Sequence, residues 1–159
     1  MKKFNLFIIK KPFFPSFFLL GSILGSIYFL CWFIFYKSLD GRDIVFTEFP
    51  DYNQVALIAI LQTIIFAPIV ETLLFQECVY YLLKQPNWLR KRKYYIMLIG
   101  AIFFGVIHFF SLSYIIMETI IGFFYMYAFV LRYYRDGFWM VVLLHAFVNG
   151  LGIFLGYFE

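Results

Sequence analysis

Ala67-Pro68-Ile69-Val70-Glu71-Thr72-Leu73-Leu74-Phe75-Gln76-Glu77 lies inside a long apolar run from about Asn53 to Leu83. It sets a carboxylate, Glu71, where a membrane-spanning segment would meet lipid. An ionised side chain at the bilayer centre costs about 2.5–3.5 kcal/mol on insertion scales. Chains keep such a group where a helix bundle supplies partners, so Glu71 is a functional candidate. Pro68 precedes it by three residues. A proline removes one backbone hydrogen bond and kinks a helix, and membranes tolerate such breaks where they line a protein-enclosed cavity. The stretch predicts a bent transmembrane helix carrying a buried acid.

The remainder of the chain has the same character. Of its 159 residues 64% are hydrophobic and 25% aromatic, with a mean hydropathy of +0.86, against about 45–50% apolar in soluble domains. The expected fold is all-α, a polytopic transmembrane helix bundle. Five hydrophobic segments run at about Phe13–Tyr36, Asn53–Leu83, Tyr94–Phe110, Ser113–Leu131 and Gly137–Phe158, each with the roughly 17 residues needed to span. The second is long for one upright span, as a tilted or kinked helix requires. No small-residue cleavage site follows the N-terminal lysines, so the first segment reads as a retained helix.

Eleven of the thirteen Lys and Arg fall before the first segment, between the second and third, and between the fourth and fifth. Only Lys37 and Arg42 fall on the other side, with Asp40, Asp43, Glu48 and Asp51. The positive-inside rule then places the N-terminus in the cytoplasm. The net charge of +4 follows this topological pattern and implies the lipid bilayer as partner, not nucleic acid. Residues 1–52 read as an anchor helix with an outside loop, and 53–159 as the core. Cys31 and Cys78 fall in different segments without CxxC spacing, which argues against a disulfide or metal knuckle and for buried structural thiols. Gly100, Gly105, Gly122 and Gly150 read as points of close helix approach.

Counting about 1.5 Å per residue from the cytoplasmic end of each span puts Glu71, His108, Glu118 and Asn149 at about 20–22 Å, and Gln76 and His145 at about 12–14 Å. Polar groups from four segments thus reach one layer. His145 and Asn149 are four apart and share a helix face, as do Phe104 and His108. A carboxylate and an imidazole can hold a water between them, the carboxylate taking its proton as general base. A second histidine and an asparagine amide can donate to the oxyanion of a tetrahedral intermediate. Those parts hydrolyse an amide bond. Glu71, His108 and His145 are also a donor set for zinc. Glu118 reads as an acid bridging helices, Glu77 as a structural residue near the basic loop, and Arg90-Lys91-Arg92-Lys93 as a headgroup anchor.

In order, the chain carries Ala67-Pro68-x-x-Glu71-Thr72-x-x-x-Gln76, Phe104-x-x-x-His108 and His145-x-x-x-Asn149. This resembles the CPBP intramembrane proteases, also called the Abi or type II CAAX prenyl endopeptidase family. Their pattern is Glu-Glu-xxx-Arg after Ala-Pro, then Phe-xxx-His, then His-xxx-Asn on successive helices. The resemblance implies an endopeptidase acting on a membrane peptide or protein, with a site open to the cytoplasmic side. Glu71 and His108 would activate water, and His145 and Asn149 would hold the oxyanion. It implies a multi-pass protein of the bacterial cell membrane that works through its glutamate without a cofactor; zinc dependence is the alternative. Thr72 and Gln76 replace the second glutamate and the arginine. A paired loss leaves no buried charge alone, and residues four apart can hydrogen-bond to each other as a neutral bracket.

Two rival readings follow. One is a catalytically silent scaffold or immunity-type protein of the same fold, favoured by Thr72 and Gln76. The other is a small transporter, disfavoured by the odd helix count and the lack of an inverted repeat. Nothing in the sequence sets the oligomeric state.

Overall fold

The computed structural model describes residue 6, residues 8–37 and residues 57–156. Lys2, Lys3, the charged residues expected outside (Asp40, Arg42, Asp43, Glu48 and Asp51) and the start of the second segment at Asn53 lie outside the described residues. Among the described residues the fold is all-α, without a sheet. Four helices are long and apolar enough to cross a membrane: Phe13–Phe35, Ile58–Leu83, Leu112–Arg132 and Gly137–Leu155. In chain order α1 is Phe13–Trp32, extended by a wide-turn segment Phe33–Lys37. The composite helix α2 runs from Leu57–Leu61 to Val79–Leu83. Then come the short α3, Asn87–Arg90, α4, Lys93–Ile107, α5, Leu112–Arg132, and α6, Gly137–Gly156. The helix α6 packs against α1, α2 and α5, and α4 lies along α5.

The break expected at Pro68 takes the form of wide turns. Two π-helical segments, Gln62–Phe66 and Thr72–Cys78, flank the α-turn Ala67–Glu71. The Ala67 N–H donates to Gln62 O, five residues back. In that register the next donor would be residue 68, and proline has no N–H. Thr63 O is therefore left without an intrahelical partner. Four-residue steps overshoot an α-turn by about 0.4 residue, and wide turns absorb the excess. Thr72, Gln76 and Tyr80 thus stay in line, all buried.

The third segment is shorter than the sequence suggests. The helix α4 has 15 residues, about 22 Å of rise against a hydrocarbon core of about 30 Å. It stops because His108 turns out of the helix (φ −84°, ψ 58°). Its ring Nδ1 takes the Phe104 carbonyl at 2.8 Å. Ser111 then caps α5, its Oγ accepting from the Tyr114 N–H at 3.2 Å.

The α4–α5 hairpin is closed by glycines. A Cβ on Gly105 would lie 2.0 Å from Thr119 Oγ1 and 2.7 Å from Ile115 O, and one on Gly122 would lie 2.9 Å from the Phe104 ring. A Cβ on Gly100 would meet the flexible Met126 side chain. The fourth expected contact is not found among the described residues: nothing described lies within 4 Å of a Cβ on Gly150.

At the far end of the bundle Arg132 is almost fully buried. It pairs with Asp136 through two hydrogen bonds and donates to Ser16 Oγ at 2.7 Å and Ile8 O at 3.0 Å. That binds the residues before α1 to the α5–α6 turn. Asp136, in that turn, is held below the usual carboxylate range chiefly by the Arg132 hydrogen bond. Beside it, Tyr80 meets Phe129 at 5.7 Å, and Lys84 Nζ donates to the Tyr133 hydroxyl at 2.6 Å. Both pairs are 49 residues apart, so α2 and α5 run side by side in the same direction. Trp88, Tyr94, Tyr95, Tyr134 and Trp139 are exposed around these basic turns, where amphipathic rings anchor at an interface.

Both cysteines are free, but only Cys31 is buried. Cys78 points outward from α2, away from the buried stripe, which corrects the expectation of two core thiols. Glu77 makes no ion pair with the described basic residues. Glu118 is buried and is hydrogen-bonded by Tyr114, one turn earlier on its own helix. It therefore does not bridge helices through that contact.

Candidate functional site

Glu71 ends the α-turn that follows Pro68, where α2 widens again. One oxygen, Oε2, lies 3.6 Å from His108 Nε2 and 3.7 Å from His145 Nε2. Three residues from α2, the end of α4 and α6 therefore meet at one atom. The side chain of Glu71 is 22% exposed, that of His108 17% and that of His145 4%. The Glu71 side chain is partly exposed, its Oε2 is buried, and His145 stands behind it.

The two outer distances exceed a direct hydrogen bond. Their chemistry follows from the far side of each ring. A carbonyl only accepts, so His108 Nδ1 must carry a proton to meet Phe104 O at 2.8 Å. Neutral His108 then presents a bare Nε2 lone pair to a carboxylate oxygen. Two acceptors 3.6 Å apart call for a donor between them. A water would meet that need, with one hydrogen for each acceptor.

Phe104 explains the four-residue spacing before His108. It is fully buried. Its ring lies 4.7 Å from the His108 ring and 5.5 Å from the His145 ring, and meets Phe75 and Tyr125 edge-on at 6.0 and 5.6 Å. One residue thus seats both imidazoles and orients one through its carbonyl. Tyr125, absent from the sequence reading, lies 4.9 Å from the His145 ring at an interplanar angle of 31°. Its one sequence signal was its place seven residues after Glu118, on the same face of α5.

Asn149 lies one turn beyond His145 and donates its amide nitrogen to Thr63 O at 2.8 Å. That is the carbonyl left over by Pro68. The depth estimate is thereby corrected. His145 is level with Glu71, and Asn149 reaches further along α2. Wide turns rise less per residue than α-turns, so counting at the α rate from Leu83 places Glu71 too far from the basic end. An amide nitrogen carries two hydrogens, and Thr63 takes one.

Thr72 and Gln76 do not form the expected bracket. Both are fully buried, and Thr72 Oγ1, Gln76 Oε1 and Gln76 Nε2 have no hydrogen-bond partner. On the shared face of a helix containing wide turns, their side chains point into the bundle and not toward each other. As for metal, no group of three or more His, Cys, Asp or Glu among the described residues could hold an ion.

The features together define a polytopic helical membrane protein with one interior carboxylate facing two histidines. The family described as type II CAAX prenyl endopeptidase Rce1-like matches residues 53–151, and the chain belongs to it. No curated protein and no solved structure matches the chain.

Proposed function

We propose that this chain is an intramembrane endopeptidase that cuts a peptide bond of a membrane-associated peptide or protein. The observation that carries the reading is the meeting of Glu71 Oε2 with both histidine Nε2 atoms. A water held by Glu71 and His108 loses a proton to the carboxylate as its oxygen bonds to the substrate carbonyl carbon. His145 Nε2–H and the second amide hydrogen of Asn149 donate to the oxyanion. The proton on Glu71 passes to the amide nitrogen, and the C–N bond breaks. Thr72 and Gln76 stand at the positions of the family's charged pair and add no charge to the site. No step calls on a metal.

The reading includes five crossings, with α4 and the turn after it as the third, a cytoplasmic N-terminus, and a site opening toward the cytoplasm. The distribution of basic residues supports that orientation. Residues 1–52 form the anchor and 53–159 the protease core, in a bacterial cell membrane. The test is peptide release: wild type, Glu71→Gln and His108→Ala are incubated with a pool of membrane peptides, with and without chelator, and new termini are read by mass spectrometry. Cleavage that survives chelation and vanishes in both variants is expected. Absence of cleavage by folded wild type would count against the reading.

The second reading, a catalytically silent scaffold or immunity-type protein, is favoured by one observation. The two positions that depart from the family's motif leave three buried polar atoms without partners. Full cellular function of Glu71→Gln would support it.

A further inference from the structure

Among the described residues, every buried side-chain polar atom without a partner belongs to Glu71, Thr72, Gln76, Tyr125 or His145. They gather around the site. Burying such atoms unpaired is costly. Gln76 and Tyr125 are each fully buried. They are 49 residues apart, the offset at which α2 and α5 pair one turn later at Tyr80 and Phe129, and again at Lys84 and Tyr133. That offset places Gln76 and Tyr125 one turn earlier on the same α2–α5 seam. Tyr125 also stacks on His145, whose Nδ1 is unpartnered.

The two histidines differ at that nitrogen. His108 Nδ1 has the backbone carbonyl one turn earlier as its acceptor. His145 Nδ1 has no such carbonyl. Tyr125, whose ring stacks on His145, carries a hydroxyl that has no partner either. The partner of one ring nitrogen decides which nitrogen carries the proton. A polar recess with several convergent groups is where a buried water settles, since it needs two to four partners.

We propose that Gln76 and Tyr125 hold a buried water in the α2–α5 seam and through it donate a hydrogen bond to His145 Nδ1. His145 is thereby fixed as the Nε2–H tautomer, opposite to His108. One histidine then accepts from the attacking water and the other donates to the oxyanion. Gln76 and Tyr125 are positioning residues, and the use made of the tautomer rests on the endopeptidase reading. At a position where the family carries arginine, the neutral amide here belongs to the same polar recess as His145.

The chain has two histidines, so protein labelled with 15N-histidine gives few ring signals, and His108→Ala assigns them. At mildly alkaline pH the expected spectrum shows His108 protonated on Nδ1 and His145 protonated on Nε2, with His145 Nδ1 shifted as a hydrogen-bond acceptor. Tyr125→Phe keeps the ring stack. It and Gln76→Leu are each expected to move the His145 Nδ1 signal toward the unbonded value and leave His108 unchanged. His145 protonated on Nδ1 in wild type, or a His145 signal unmoved in both variants, would overturn the proposal. The wild-type spectrum decides the tautomer even where a variant fails to fold. Because no substrate is present, this result is independent of whether the chain cleaves peptides. Where cleavage is measurable, Tyr125→Phe lowers kcat about tenfold with KM unchanged, as for loss of an interaction made in the transition state.

Discussion

Gly105→Ala tests the packing that positions His108. A Cβ there would lie 2.0 Å from Thr119 Oγ1, 2.7 Å from Ile115 O and 2.8 Å from Thr119 N. The hydroxyl can rotate away, but the other two atoms are backbone of α5. Bringing them to an ordinary contact of about 3.4 Å or more requires α4 and α5 to part by roughly 0.7 Å, since a close-packed interface cannot absorb the volume locally. Overpacking of this kind costs about 1–3 kcal/mol, and alanine recovers up to about 1 kcal/mol of helix propensity. With the overpacking cost at the middle of that range, about 2 kcal/mol, the net is a loss of about 1–2 kcal/mol. At about 2–4 °C per kcal/mol for a chain of this size, the thermal midpoint in detergent falls by roughly 2–8 °C. The strain is three residues from His108, so its separation from Glu71 changes as well, and a misplacement of about 1 Å can cost a hundredfold in rate. Gly150→Ala is the control, because its Cβ meets nothing described within 4 Å. It is expected to leave the midpoint unchanged or raise it. If Gly105→Ala melted at or above Gly150→Ala, the tight α4–α5 crossing would be refuted.

Glu71→Gln is expected to abolish peptide release, a loss of about 10²–10⁴-fold or more for a general base, while the thermal midpoint holds or rises; a large drop in midpoint would assign Glu71 a structural role. Asn149→Leu leaves Thr63 O without its donor and is expected to destabilise by about 1–3 kcal/mol, read as a lower midpoint, whereas Asn149→Gln retains a donor and loses less. The folded pKa of Asp136 lies below its ordinary value of 3.8 because Arg132 hydrogen-bonds the ionised form. Its contribution is therefore present above that value and is lost as pH falls through the folded one, below about 4. Thermal midpoints measured down to about pH 3 should show a fall that Asp136→Asn flattens.

The sequence carried the parts whose spacing is itself the signal. Glu71 in an apolar run, and each histidine four residues from its companion, are visible because a helix turns such spacings into shared faces. The contacts that depend on the backbone leaving α-geometry were hidden. Asn149 was readable as a polar residue on the helix face of His145, but its partner is a main-chain carbonyl that becomes free only where α2 widens. Thr72 and Gln76 are four apart, yet they do not bond because both point into the bundle. Gly105 and Gly150 look alike in sequence. They differ in that one faces the neighbouring helix within a hairpin and the other has nothing described within 4 Å. Arg132 was read as a topology signal, and its burial against Ser16 and Ile8 depends on a contact more than a hundred residues away.

One covalent fact links several of these features. Pro68 cannot donate, so the ladder shifts to the wide register at Gln62 and leaves Thr63 O over. Asn149 takes that carbonyl and pins α6 to α2. Pinned there, α6 holds His145 one turn below, at 3.7 Å from Glu71 Oε2. The carboxylate follows the proline by three residues, on the α-turn between the two wide segments. A regular helix in this place would engage its own carbonyls and leave Asn149 only a shared acceptor. The break in α2 is thus a precondition of the site, and Pro68→Ala is expected to uncouple His145 from Glu71 even as it improves the helix: a higher intrinsic helicity with lower peptide release.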